Sequence, residues 1–360
     1  MAREIRRPTS NPLAVATAID LLRAYADGTA PATDLEEALA ASLQRVDPDR
    51  ERSRRLVRNF DAIPSGIKTP VFGATVRGQM RTSPETDLEA LFARPPLGIA
   101  FRDDVTLGDP PEYPEDTQFT VLYTGLYCND RTGDRQILGP SDEPYVITVA
   151  VSIDEDGENV ERSELHPVGD PDNRYGDVDD GEYRKGPIAA CWAGTLPSQE
   201  LSIVTVVMEN DEGDPEAYRQ EVETLVNVAA AIAAYFNIAI GAAIKALAAD
   251  LILWLIDSGD DEIGTDIAII TPEWLRRYPH EYPVRKFTGT RTELVPVGFF
   301  QWEEQEIEDV TDLDYQFITR HEERGRYVVT YKVDADRDPL TRPQTLTDIG
   351  ERPILVARSL

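Results

Sequence analysis

Two hydrophobic periods divide this chain. From Asn11 to about Phe60 apolar residues recur at helical spacing: Val15, Ile19, Leu22 and Ala26 follow Pro12, and Gly28 ends the run. Thr33-Asp34-Leu35-Glu36 then reads as a capping box opening a second helix with Leu35, Leu39, Leu43 and Val46 on one face. Asp47-Pro48 predicts the start of a third helix, rich in arginine through Arg58. From Ala62 to Asp116 the period fades and prolines crowd in, although a short helix is expected after Ser83-Pro84. Val71, Phe72, Leu97, Ile99 and Phe101 are too apolar for a solvated linker, so this connector is expected to pack along the strand-rich region downstream of it.

The pattern then turns to strands. Phe119 to Tyr123, Tyr145 to Val151, Ile188 to Trp192, Leu201 to Met208, Ile267 to Ile270 and Gly325 to Val333 read as strands separated by acidic turns. One segment breaks this order. From about Asp214 to Ile256 the chain is Ala-rich, and Thr224 to Ile244 carries no charged residue. Asp214-Pro215-Glu216 is a helix start, with a cap, a proline in the first turn and acids at the positive dipole end. Asn237 and Gly241 mark a break or kink, so one long helix and a hairpin of two both stay open. Packing on the sheet or on a partner subunit is the favoured reading. A membrane span is disfavoured because Asn227 and Asn237 are costly in hydrocarbon and the flanks are acidic.

The acidic turns carry the candidate chemistry. Ser141-Asp142-Glu143-Pro144-Tyr145-Val146, Val207-Met208-Glu209-Asn210-Asp211 and Asp260-Asp261-Glu262-Ile263-Gly264 each sit at the end or start of a strand-like run. A sandwich could bring all three to one edge. A hard divalent cation takes six to eight oxygens, which separate loops supply only when a rigid sheet holds their ends together. A fourth run, Asn129-Asp130-Arg131-Thr132-Gly133-Asp134, lies upstream, and the carboxylate-dense loop Asp170 to Gly181 is expected to be a hydrophilic surface loop, adding ligands only if it reaches the same edge.

In order and spacing these motifs resemble the C2 domain family of calcium-dependent, lipid-binding β-sandwiches, over about Gln118 to Val333. The departures are the extra Glu143, Glu209 in place of an aspartate, and the helical segment where the family has a short loop. The resemblance implies an α+β protein: a C2-like antiparallel β-sandwich with an N-terminal helical region and an inserted helix or helical hairpin. It implies a calcium site drawn from Asp130 (or Asp134), Asp142, Glu209, Asp211 and Asp261. The expected organisation is a helical region 1–62, a Pro-rich connector 63–117, the sandwich 118–335 with its insert 214–257, and a tail 336–360.

Composition narrows the partners. With 66 acidic against 36 basic residues, a net charge of −30 and a pI near 4.4, the chain repels phosphate backbones, so nucleic acid is excluded as a partner. A protein partner or a second copy of the chain is expected, and a phospholipid membrane stays open. Catalytic signatures are missing from the sequence. His166, His280 and His321 form no zinc pair, and no nucleophile elbow, P-loop or dinucleotide fingerprint occurs. Cys128 and Cys191 lie in apolar contexts and are expected as buried thiols, a bridge between them staying open. No secretory leader follows Met1, so the expected setting is cytoplasmic, with non-classical export left open. The expected function is a non-enzymatic binding or assembly module that uses calcium. The alternative is a membrane-active toxin or effector whose apolar insert enters lipid.

Overall fold

The computed structural model describes residues 12–63, 68, 109–132, 142–153, 159–168, 174–211, 213–236, 252, 255, 261–281, 289–298, 301–309, 315–321 and 325–340. Its elements, in chain order, are α1 (Pro12–Ala26), α2 (Asp34–Val46), α3 (Glu51–Ala62), β1 (Phe119–Asp130), β2 (Pro144–Ile153), β3 (Asn159–His166), β4 (Tyr183–Gly194), β5 (Leu201–Glu209), α4 (Pro215–Phe236), β6 (Asp261–Ile270), α5 (Pro272–Glu281), β7 (Gly289–Gly298), β8 (Gln301–Asp309), β9 (Phe317–His321) and β10 (Arg326–Ala335). The chain is thus a mixed α+β protein.

Two four-stranded antiparallel sheets form a sandwich-like core, in the orders β4-β1-β10-β9 and β3-β2-β5-β6, and β7 and β8 pair as a separate hairpin. Between the sheets lies one apolar layer: Phe119, Val121 and Leu126 of β1 and Val329 and Val333 of β10 meet Val146 and Ala150 of β2 and Ile203 and Val207 of β5. A second core lies on the outer face of β3-β2-β5-β6. There Tyr145, Ile147 and Val149 of β2 and Val204, Val206 and Met208 of β5 share one cluster with Leu22, Leu39, Leu43, Leu56 and the α4 residues Val222, Val226, Ala229 and Ala233. The sequence explains this layering. β5 is buried from Leu201 through Met208 because helices cover one side and the opposite sheet the other, so its apolar run is continuous rather than alternating.

Local chemistry sets the N-terminal helices. The Thr33 hydroxyl accepts from the Glu36 amide at 3.2 Å, and the Glu36 carboxylate reaches back to the Ala32 amide at 2.5 Å, one residue beyond the usual reciprocal bond. The third helix begins at Glu51 rather than at Asp47-Pro48, because Asp47 stays outside it as an acceptor. Its buried carboxylate takes the amides of Arg52 (3.2 Å) and Ser53 (2.8 Å) and the Ser53 hydroxyl (2.6 Å). Four arginines of this region are engaged by their own chain. Arg52 caps the Val46 carbonyl, Arg54 the Ala26 carbonyl, Arg50 lies over the Tyr25 ring and Arg55 pairs with Glu221.

The insert is helical through Phe236 as expected, with Asp214 accepting from the amides of Glu216 and Ala217. Asn237, Gly241, Leu251 and Trp254 lie outside the described residues, as do most of the Pro-rich connector and the whole of the tail beyond Leu340. Among the described residues no helix is long and apolar enough to cross a membrane. Cys128 and Cys191 are both buried free thiols.

Candidate functional site: the acidic edge of the sandwich

The strand register brings the acidic elements to one edge. Glu209, at the end of β5, stands opposite Pro144 on β2 and opposite Asp261 on β6. Two irregularities shape this edge: β1 shifts register between Cys128 and Asp130, and the β5–β6 ladder shifts between Val207 and Met208, which leaves Ile263 as the extra residue. Such bulges bend a strand and re-aim its side chains, and Ile263 is turned into the inter-sheet core.

At the centre of the edge is Asp142, only 1 % exposed. Its backbone bridges Val178, and its side chain is held by three donors. Oδ2 accepts from the Thr132 amide at 2.8 Å and the Tyr327 hydroxyl at 2.5 Å, and Oδ1 faces the Thr132 hydroxyl at 3.0 Å. The same Thr132 hydroxyl lies 2.6 Å from Oε2 of Glu209. One hydroxyl carries one proton, so two carboxylates converge on a single donor hydrogen. Burial, with Cys128 and the Asp142 carboxylate beside it, pushes the Tyr327 phenol far above its ordinary value, which keeps it a proton donor to Asp142. Burial likewise pushes the Cys128 thiol up.

Arginines ring this centre. Arg326 Nη2 meets Asp130 Oδ2 at 3.1 Å, Arg174 pairs with Glu143, and Arg131 meets Asp179 at 3.0 Å while its amide donates to Asp180 at 2.7 Å. The expected ligands therefore divide. Asp142 and Glu209 come together through Thr132, and Asp261 is placed beside Glu209 by its backbone, its side chain lying outside the described residues. Asp130 is turned to Arg326, and Asp211 lies exposed beyond the strand end. Asp134 is outside the described residues. Among the described residues no group of three or more His, Cys, Asp or Glu side chains is arranged to hold a metal ion.

Sequence reasoning missed Thr132, Tyr327 and the three arginines. The expected surface loop Asp170 to Gly181 does reach the edge, through Val178 on Asp142 and through Asp179 and Asp180 on Arg131. Thr132 was visible in the Asn129 to Asp134 turn, but only the register of β1 against β10 brings Tyr327 alongside Cys128. No family model matches the chain, and no curated protein or solved structure matches it either.

Proposed function

We propose that the chain is a non-enzymatic, C2-like binding and assembly module whose acidic edge takes calcium. The observation that carries this reading is the convergence of Asp142 and Glu209 on the one Thr132 hydroxyl, with Asp261 across the ladder from Glu209. Two carboxylates this close repel unless a proton or a cation lies between them, and calcium accepts carboxylate oxygens from separate loops. The arrangement of two four-stranded antiparallel sheets with acidic loops at one end fits the family that the motifs resemble. Asp142, held by Thr132 and Tyr327, serves as the fixed member. Glu209, Asp211 and Asp261 are the members that supply further oxygens. The arginine pairs of Asp130 and Glu143 compete with the cation, so binding is expected to be weak and salt-dependent.

The test is calorimetry and thermal melting of the full chain in calcium against chelator. A ligand that binds only the folded state stabilises it by about 2.7 kcal/mol at a hundredfold excess over Kd. Calcium is expected to raise the melting temperature of the wild type and not that of Glu209→Gln with Asp261→Asn. Identical melting of the wild type in calcium and chelator would remove the metal and leave the edge as a structural hydrogen-bond cluster.

A further inference from the structure

The segment from Arg174 to Glu182 is rich in aspartate and glycine, yet it ties the two sheets together at the acidic edge. Val178 is its anchor. It is fully buried between the sheets, and its backbone exchanges both bonds with Asp142, donating at 2.8 Å and accepting at 3.3 Å. On the β2 side the Tyr175 amide donates to the Pro144 carbonyl at 2.7 Å. On the β1 side the Gly181 amide donates to the Cys128 carbonyl at 2.8 Å, and the Cys128 amide donates to the Glu182 carbonyl at 2.9 Å. One loop thus holds the end of β1 in one sheet and the approach to β2 in the other.

Where β1 ends, its amides need new acceptors. The ladder with β10 closes at Asp130 opposite Arg326, and that with β4 at Tyr127 opposite Tyr183. The next two amides go to carboxylates from two separate loops, Arg131 to Asp180 Oδ1 at 2.7 Å and Thr132 to Asp142 Oδ2 at 2.8 Å. Asp180 therefore holds the backbone one residue before the hydroxyl on which Asp142 and Glu209 converge. The Arg131 side chain adds less. Its partner Asp179 is 56 % exposed, and an ion pair so open to water contributes little. A charge-assisted bond to a part-buried amide is the stronger tie. We propose that Asp180 is a positioning residue: by holding the Arg131 amide it presets Thr132, and through Thr132 the placing of the Asp142 and Glu209 carboxylates. Its link to calcium rests on the function proposed above, whereas its hold on Thr132 does not.

Asp180→Ala removes the acceptor, whereas Asp180→Asn keeps a carbonyl oxygen in its place and removes only the charge. Two measurements on the full chain separate the two steps: exchange of the Thr132 amide by nuclear magnetic resonance in chelator, and calcium affinity by calorimetry. Asp180→Ala is expected to speed exchange at Thr132 by about tenfold or more, with the core amides of β2 and β5 unchanged, and to weaken calcium binding by a similar factor. Asp180→Asn is expected to restore most of both. If Thr132 exchanges alike in the wild type and in Asp180→Ala, or if Asp180→Asn loses as much as Asp180→Ala, the clamp is overturned. Release of Thr132 at unchanged calcium affinity would likewise overturn Asp180 as a positioning residue. A wild type that takes up no calcium, with Thr132 still released by Asp180→Ala, defeats the calcium reading and leaves the hold on Thr132 standing.

Discussion

The Tyr327 hydroxyl donates to Asp142 at 2.5 Å across 185 residues of sequence, tying the last strand to the loop that precedes the second. The bond joins the two sheets at the acidic edge, since β10 belongs to one and the turn before β2 to the other. A phenol held protonated by burial is a donor that does not switch off near neutral pH.

Tyr327→Phe is therefore expected to destabilise the fold by about 1.5–3 kcal/mol, the range for a buried hydrogen bond to a charged acceptor. Chemical denaturation reads this as a lower midpoint at unchanged slope. Loss under about 0.5 kcal/mol would mean that Thr132 alone satisfies Asp142.

Thr132→Val separates the two carboxylates' shared donor from its backbone. The Thr132 amide still reaches Asp142, but no hydroxyl proton then lies between Asp142 and Glu209. The variant is expected to lose about 1–3 kcal/mol without calcium. If calcium occupies the edge, added calcium should recover part of that loss, because a cation can take the place of the missing hydrogen. Recovery by magnesium but not calcium would point to a smaller octahedral site instead.

How far the sequence carries can be seen at particular residues. Helical periodicity placed Leu35, Leu39 and Leu43 on one face, and all three are buried in the helical core. The Ala-rich insert was legible as a helix, but that Asn227 would meet Ser42 was not, since such a pairing depends on the docking of segments 185 residues apart. β3 escaped detection because Glu161, Arg162, Ser163 and Glu164 mask the period of an edge strand. β7 and β8 escaped for a related reason, since Glu303, Glu304, Glu306 and Glu308 read as a polar loop. The acidic turns were legible as a set. Their arginine partners were not, because Arg326 is brought to Asp130 by strand register, and Arg174 and Arg131 reach Glu143 and Asp179 from loops distant in sequence.

Two buried histidines are expected to contribute to the acid limit of the fold. His166 is fully buried, stacked on Tyr123 at 4.0 Å, with Nε2 on Thr148 and Nδ1 without a partner, and burial lowers its pKa to about 3. His321 bonds Thr319 and the Gly264 carbonyl, and burial, partly offset by Asp266, lowers its pKa to about 4. Both native pKa values lie below the unfolded value of 6.5, so only the unfolded chain takes up these protons between pH 6.5 and about 4. Stability is fully present above pH 6.5 and is lost as pH falls through that window, by about 1.4 kcal/mol per pH unit for each histidine. Above about pH 5, where most carboxylates remain ionised, His166→Gln with His321→Gln should flatten the slope. An unchanged slope in the double variant would assign the acid limit to carboxylates.

Ile232 and Ala234 of α4 provide a matched pair for the insert. Ile232 is fully buried in the helical core, whereas Ala234, two residues on, is exposed. A carboxylate at the first site enters a region lined by apolar side chains, and so shifts its proton affinity or unfolds its surroundings. Ile232→Asp is expected to cost about 4 kcal/mol or more, enough to unfold a marginal domain, and Ala234→Asp within about 0.5 kcal/mol. The comparison discriminates packing from membrane insertion. An insert that leaves the sheet to enter lipid would tolerate Ile232→Asp in solution and lose leakage from anionic vesicles, whereas a packed α4 loses its melting transition with Ile232→Asp and keeps it with Ala234→Asp. Circular dichroism melts of the two variants, beside the wild type, decide between them.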